Sequence, residues 1–304
     1  MEKGRSSERV TCICITAILV VMLVIGTFCD EMLAKTLFSP GNAIATIVTT
    51  IGLYPFFGSV VLFLGVVFER VSHGTMGQLA KGALCVAAAA AALAIGFAGS
   101  SYLVDKDCLG GIMPGLEKNY VVIGAIALVC VWPLFLVGYR QATRNDDETL
   151  LKRALSLVAL AVAAFLVMQA TKGIFNRPRY RVVAQGLAGV NFVPWYHISP
   201  NPSDLMATHG LAKNEFTSFP SGHAILSSST IYILLAISWL YPQLREKRVT
   251  LIVAAFVFCC VVIFSRMVLG AHYLSDVSAG ALIGMLFVLL YKVIENRISA
   301  SAAA

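Results

Sequence analysis

Three short stretches of this sequence carry residue types suited to handling a phosphoryl group. They are Lys172-Gly-Ile-Phe-Asn-Arg177-Pro178-Arg179-Tyr180, Pro220-Ser221-Gly222-His223, and Ser265-Arg266 followed by His272 and Asp276. Lys172, Arg179 and Arg266 offer three fixed cations. A phosphoryl transition state spreads negative charge over three equatorial oxygens, so cations preset around it lower the barrier. Arginine adds a planar fork that matches two phosphate oxygens at once. Ser221 and Gly222 are expected to open a helix, where free N–H groups attract an anion, and Gly222 lets the backbone approach the ligand closely. His223 and His272 supply an acid and a nucleophile. Asp276 stands four residues after His272, so on a helix the two side chains share a face. The carboxylate is expected to hold one imidazole tautomer, leave the other nitrogen free to attack, and stabilise the phosphohistidine that results.

The elements that must position these residues are apolar. The chain has 304 residues, 58% of them hydrophobic and 13% charged, against about a quarter charged in a soluble domain. The apolar residues come in blocks of roughly 18–25, enough to cross a bilayer core as a helix. Eight such blocks are expected, near 10–29, 43–68, 82–104, 119–139, 154–171, 222–241, 249–266 and 273–291. The second is the weakest because Gly52, Pro55 and Gly58 interrupt it. The basic stretch Lys3, Arg5 and Arg9 before the first block resembles a signal-peptide start. That block is longer than a typical signal core and lacks a clear small-residue cleavage site, so it is expected to be retained. With the N-terminus placed in the cytoplasm, inner segments hold 14 of the 23 Lys and Arg residues. Five of the nine outer ones are Lys172, Arg177, Arg179, Arg181 and Arg266. Setting those aside leaves a firm positive-inside bias and puts the candidate cations on the outer face. The net charge of +7 therefore records orientation, and no nucleic-acid partner is implied. The eight cysteines form no disulfide or zinc pattern, and no metal or cofactor is expected.

Together the three stretches resemble the signature of the type 2 phosphatidic acid phosphatase (PAP2) superfamily: K-x6-R-P, then P-S-G-H, then S-R-x5-H-x3-D. The second and third agree at every fixed position, and the first has Tyr180 in place of proline. Arg177-Pro178 offers a second, shorter register. The resemblance implies an all-α polytopic transmembrane bundle with a six-helix phosphatase core. That core would fill residues 82–304, with an extracytoplasmic loop 172–221, and residues 1–81 would form an added N-terminal hairpin. It implies phosphate binding by Lys172, Arg179, Arg266 and the Ser221 and Gly222 amides. His272 would be the nucleophile, Asp276 its partner and His223 the general acid, with no metal. The expected activity is hydrolysis of a lipid phosphate held in the bilayer: undecaprenyl diphosphate, phosphatidylglycerol phosphate, phosphatidate or diacylglycerol pyrophosphate. Transfer of the phosphate to another acceptor is the alternative, and an anion transporter is a remote one.

Other polar residues carry blander readings. Arg177 and Arg181 are balanced between binding a lipid headgroup or a second phosphate and snorkelling at the membrane surface. His73, His197 and His209 read as structural or solvated residues, as do Asp204, Lys213 and Glu215. Trp195 and Tyr196 read as interfacial anchors. The lack of N-x-S/T sequons and of an ER-retention tail points toward a bacterial plasma membrane. The oligomeric state is left open.

Overall fold

The computed structural model describes the backbone of residues 2–303 and the side chains of residues 6–302; Lys3 and Arg5, counted above for orientation, have side chains outside that range. The described residues fold into helices and connecting segments without a strand. Among the described residues, eight helices are long and apolar enough to cross a membrane. They are α1 (Glu2–Leu37), α2 (Ala43–Ser72), α3 (Gln78–Leu103), α4 (Tyr120–Ala142), α5 (Leu150–Thr171), α6 (Gly222–Leu240), α7 (Arg248–Val268) and α8 (Leu274–Ala303). The protein is an all-α polytopic bundle, with eight helices in the order expected.

Three helices depart most from their expected form, α8 by running past residue 291 to Ala303. α1 runs two turns beyond residue 29, through Asp30 and Glu31, to Leu37. The acidic pair reads as a break in the sequence, yet Asp30 is 3% exposed and satisfied by buried partners. α2 is unbroken despite Pro55 and is the most enclosed of the long helices, equalled only by α6. Its glycines serve packing. At Gly65 an added Cβ would stand 2.0 Å from the Phe135 carbonyl oxygen, and at Gly138 on α4 it would stand 1.8 Å from that of Leu62. The two backbones touch because neither carries a side chain there, the usual device where lipid removes the hydrophobic drive between helices. α2 also packs on α3, α5 and α7, while α1 lies against α7 and α8.

The two ends of the bundle differ in character. At one end Arg248 bonds Glu8 (2.8 Å) and Glu295 (2.6 Å), and Lys292 bonds Glu8 (2.6 Å). These pairs tie α1, α7 and α8, and the Trp239 indole of α6 joins them by donating to Glu295 at 2.6 Å. At the other end lie the start of α6 and α8, the finish of α5 and α7, and the segment 172–221. That segment is mostly irregular, with short helices at Tyr180–Val183 and Ser203–His209. Backbone bonds brace it internally, Ser218 N–H to the Arg177 carbonyl (3.1 Å) and Arg179 N–H to that of Glu215 (2.8 Å), and dock it onto the bundle, Arg181 N–H to the Gly270 carbonyl (3.0 Å).

Candidate active site

Four helix ends supply the predicted residues. Lys172 caps the end of α5 in an extended conformation, and Arg266 stands in the last turn of α7. Ser221 is the N-cap of α6, its hydroxyl accepting the Ala224 N–H at 3.4 Å. His272 lies in the short link after α7, and Asp276 sits in the first turn of α8. Gly222 brings the start of α6 against the end of α5: a Cβ there would meet Met168 Sδ at 2.7 Å and Lys172 Cε at 3.3 Å.

His272 is buried, and its Nδ1 is 2.6 Å from the Ser218 carbonyl oxygen. A carbonyl only accepts, so Nδ1 carries the proton and Nε2 keeps its lone pair. Asp276 Oδ2 is 3.7 Å from Nδ1, close enough for electrostatics but too long for the main hydrogen bond. The tautomer-holding role expected of Asp276 therefore falls first to a peptide carbonyl. The carboxylate is itself fixed by the Ser218 hydroxyl (2.5 Å), the Tyr273 N–H (2.8 Å) and Arg177 Nη1 (2.5 Å). Burial pushes the His272 imidazole down to about 4, Asp276 pulling the other way and Arg266 and Arg179 adding to the fall. At neutral pH this histidine is neutral, the form that can attack phosphorus.

The cations converge beside it. Arg179 Nη1 (2.5 Å) and Arg266 Nη2 (2.6 Å) both bond Asp107 Oδ2, and Arg181 Nη1 bonds Asp107 Oδ1 (2.5 Å). Burial would raise the Asp107 carboxyl, but the guanidiniums of Arg179, Arg266 and Arg181 hold it well below the usual carboxylate range. Lys172 makes no hydrogen bond or ion pair among the described residues; burial lowers it, with Arg179 and Arg266 adding to the effect. Four cations face Asp107 and Glu215, with Asp105 also acting on Lys172, so the cluster is net positive and suits an anion. His223 Nε2, Arg179 Nε, and Arg266 Nε and Nη1 are buried without a partner. Each such group costs about 1–3 kcal/mol unless something bonds it. Donors left over in one cationic cluster mark a place built for an oxyanion.

The predicted residues are thus brought together at one end of the bundle, with corrections. The Ser221 N–H, expected on phosphate, donates to the Asp276 carbonyl at 3.0 Å. Arg177 faces no headgroup: it is fully buried between Asp276 and Asp30, with its guanidinium 4.1 Å from the Tyr273 ring. Arg181 is held by Asp107 and, through two bonds, by Glu215, which therefore does more than solvate a loop. Trp195 donates to Thr27 of α1 at 3.0 Å and stacks on Phe219, so it is a packing residue rather than a surface anchor. Arg179, not Arg177, joins Arg266, which selects the longer register. Tyr180 is the first residue of a short helix whose N-cap is Arg179. Proline is favoured at that position, and a tyrosine fits it equally while its ring packs edge-on against Phe38.

Three participants were missed: Asp30, Asp107 and the Ser218 carbonyl. An acid in an apolar block is a signal that could have found Asp30. Nothing in Asp105-Lys106-Asp107 distinguishes the second aspartate from a solvated loop residue.

No solved structure matches the chain. A family model described as the PAP2 superfamily matches residues 152–299, a stretch that contains Lys172, Arg179, His223, Arg266, His272 and Asp276 and leaves Asp30 and Asp107 outside it. That match, and the three motifs within it, make residues 152–299 similar to the PAP2 superfamily of phosphatases and phosphotransferases and are consistent with a PAP2 phosphatase.

Proposed function

We propose that this protein is a lipid phosphate phosphatase that works through a phosphohistidine at His272, without a metal. The observation that carries the reading is an imidazole whose Nδ1–H is committed to a peptide carbonyl, beside a cationic cluster with unused donors. In the first step Nε2 of His272 bonds to phosphorus as the bond to the leaving oxygen breaks, and His223 gives that oxygen its proton. In the second step water attacks the phosphohistidine and passes a proton to His223. The N–P bond breaks and inorganic phosphate leaves. Lys172, Arg179 and Arg266 hold the equatorial oxygens, with the N–H groups that open α6 after Ser221.

A site at the end of a bundle of membrane-length helices suits a substrate whose headgroup is in water and whose chains stay in lipid. The positive-inside pattern supports an extracytoplasmic position for that end. The substrate class is a lipid phosphate or pyrophosphate: undecaprenyl diphosphate, phosphatidylglycerol phosphate, phosphatidate or diacylglycerol pyrophosphate. Purified protein assayed on these four is expected to release phosphate equally with and without EDTA. His272→Ala is expected to abolish release while the protein stays folded in detergent. Activity within about tenfold of wild type would remove His272 from its role. Analysis of products with an added lipid alcohol separates hydrolysis from transfer to another acceptor.

A further inference from the structure

The charge behind the nucleophile has a member that no motif supplies. Asp30 sits on α1, outside the segment the family model matches, and is 3% exposed. Its Oδ2 accepts from Arg177 Nη2 at 2.9 Å, and its Oδ1 takes the Ser275 N–H at 2.9 Å. The Ser275 hydroxyl also donates to it. Arg177 uses its other terminal nitrogen on Asp276 at 2.5 Å, and Asp276 faces His272. Gly26, one turn earlier on α1, permits the approach: a Cβ there would lie 2.6 Å from the Ser275 nitrogen. A continuous line of buried charge therefore runs from α1 to the imidazole.

Arg177 on its own would cancel Asp276. A neutral carboxylate–guanidinium pair gives an imidazole little reason to take on positive charge, whereas two carboxylates around one guanidinium keep a net negative charge. This matters because the other groups facing His272 oppose that charge: Arg266 from α7, Arg179 from the docked segment, and the neighbouring His223 from α6. We infer that Asp30 is a positioning residue that offsets Arg177, so that Asp276 keeps the field stabilising positive charge on His272 as its Nε2 bonds to phosphorus. α1 then belongs to the catalytic unit even though it lies outside the matched segment.

The inference rests on the phosphatase reading, and its test separates the two. Asp30→Asn keeps the shape and one acceptor and removes the charge. Its kcat on the lipid phosphate that wild type hydrolyses best is expected to fall about tenfold, with KM within about twofold, because phosphate contacts are untouched. Asp30→Asn/Arg177→Gln restores the net charge around His272 and is expected to regain most of the lost kcat. A purely structural role predicts further loss instead. An Asp30→Asn kcat within about twofold of wild type, or a double variant no better than the single one, overturns the inference. If Asp30→Asn does not fold, the double variant, in which the Ser218 hydroxyl and the Tyr273 N–H still hold the Asp276 carboxylate, decides: activity within about tenfold of wild type supports the inference and loss beyond that overturns it. A wild type that releases phosphate from none of the four lipids sinks the phosphatase reading and this inference with it; an active wild type with an indifferent Asp30 sinks this inference alone.

Discussion

Asp107 shows how a phosphate site can hold its cations together before the phosphate arrives. Arg179 and Arg266 each give it one terminal nitrogen and keep other nitrogens free. Like-charged guanidiniums would otherwise splay apart. Bound this way they keep their spacing, and the oxyanion meets a preformed fork. Asp107→Asn is therefore expected to raise KM at least about tenfold and to weaken inhibition by orthovanadate in proportion, with a smaller fall in kcat. A Michaelis series with and without vanadate decides the point. Tighter vanadate binding in the variant would mean that the carboxylate only blocks the site. The residues proposed to touch phosphate were legible because their spacing is fixed by helix ends and backbone turns. The residues that hold them were not, since a carboxylate can reach an arginine from any element that passes nearby.

Helices were more legible than their ends. Eight apolar blocks gave eight helices, because a run of apolar residues in lipid has no competing way to satisfy its backbone. The ends were misjudged where a charge is buried with a partner: Asp30 and Glu31 looked like a stop, and α1 continues past them to Leu37. The interruptions in α2 misled for a related reason. Glycine lowers intrinsic helix preference, but here Gly52 receives Val262 of α7 and Gly65 receives the backbone of α4. Packing outweighs propensity. The contact is tightest at Gly138, where no side chain can yield to make room. Gly138→Val is expected to destabilise the bundle by about 1–3 kcal/mol or more, read as a lower unfolding temperature in detergent. An unchanged temperature would show that the seam is looser than the distances indicate.

Across the whole molecule the charges are sorted to two ends. One end is closed by Glu8, Arg248, Lys292 and Glu295, which pair with one another, and leaves single nitrogens of Arg70 and Arg153 unpartnered; the other gathers four unpartnered atoms on Arg179, His223 and Arg266. This asymmetry fits a bundle that presents one mouth to water. The proposed orientation rests on the distribution of Lys and Arg, and labelling tests it directly. In a background with the native cysteines replaced, Ser203→Cys on the docked segment is expected to react with a membrane-impermeant maleimide in intact cells. Lys247→Cys at the opposite end is expected to react only after lysis. The reverse pattern would turn the protein over and put its chemistry in the cytoplasm.

The hydrogen bond from His272 to the Ser218 carbonyl has one more consequence. A peptide oxygen cannot pick up a proton at any pH the protein survives, so the hydrogen on Nδ1 stays in place throughout the cycle. On the proposed mechanism the nucleophile is locked rather than relayed: only His223 on α6 trades hydrogen with substrate and water. Undocking the segment that carries Ser218 would release the ring to spin and so disarm it, making the loop's attachment to the bundle a precondition of attack.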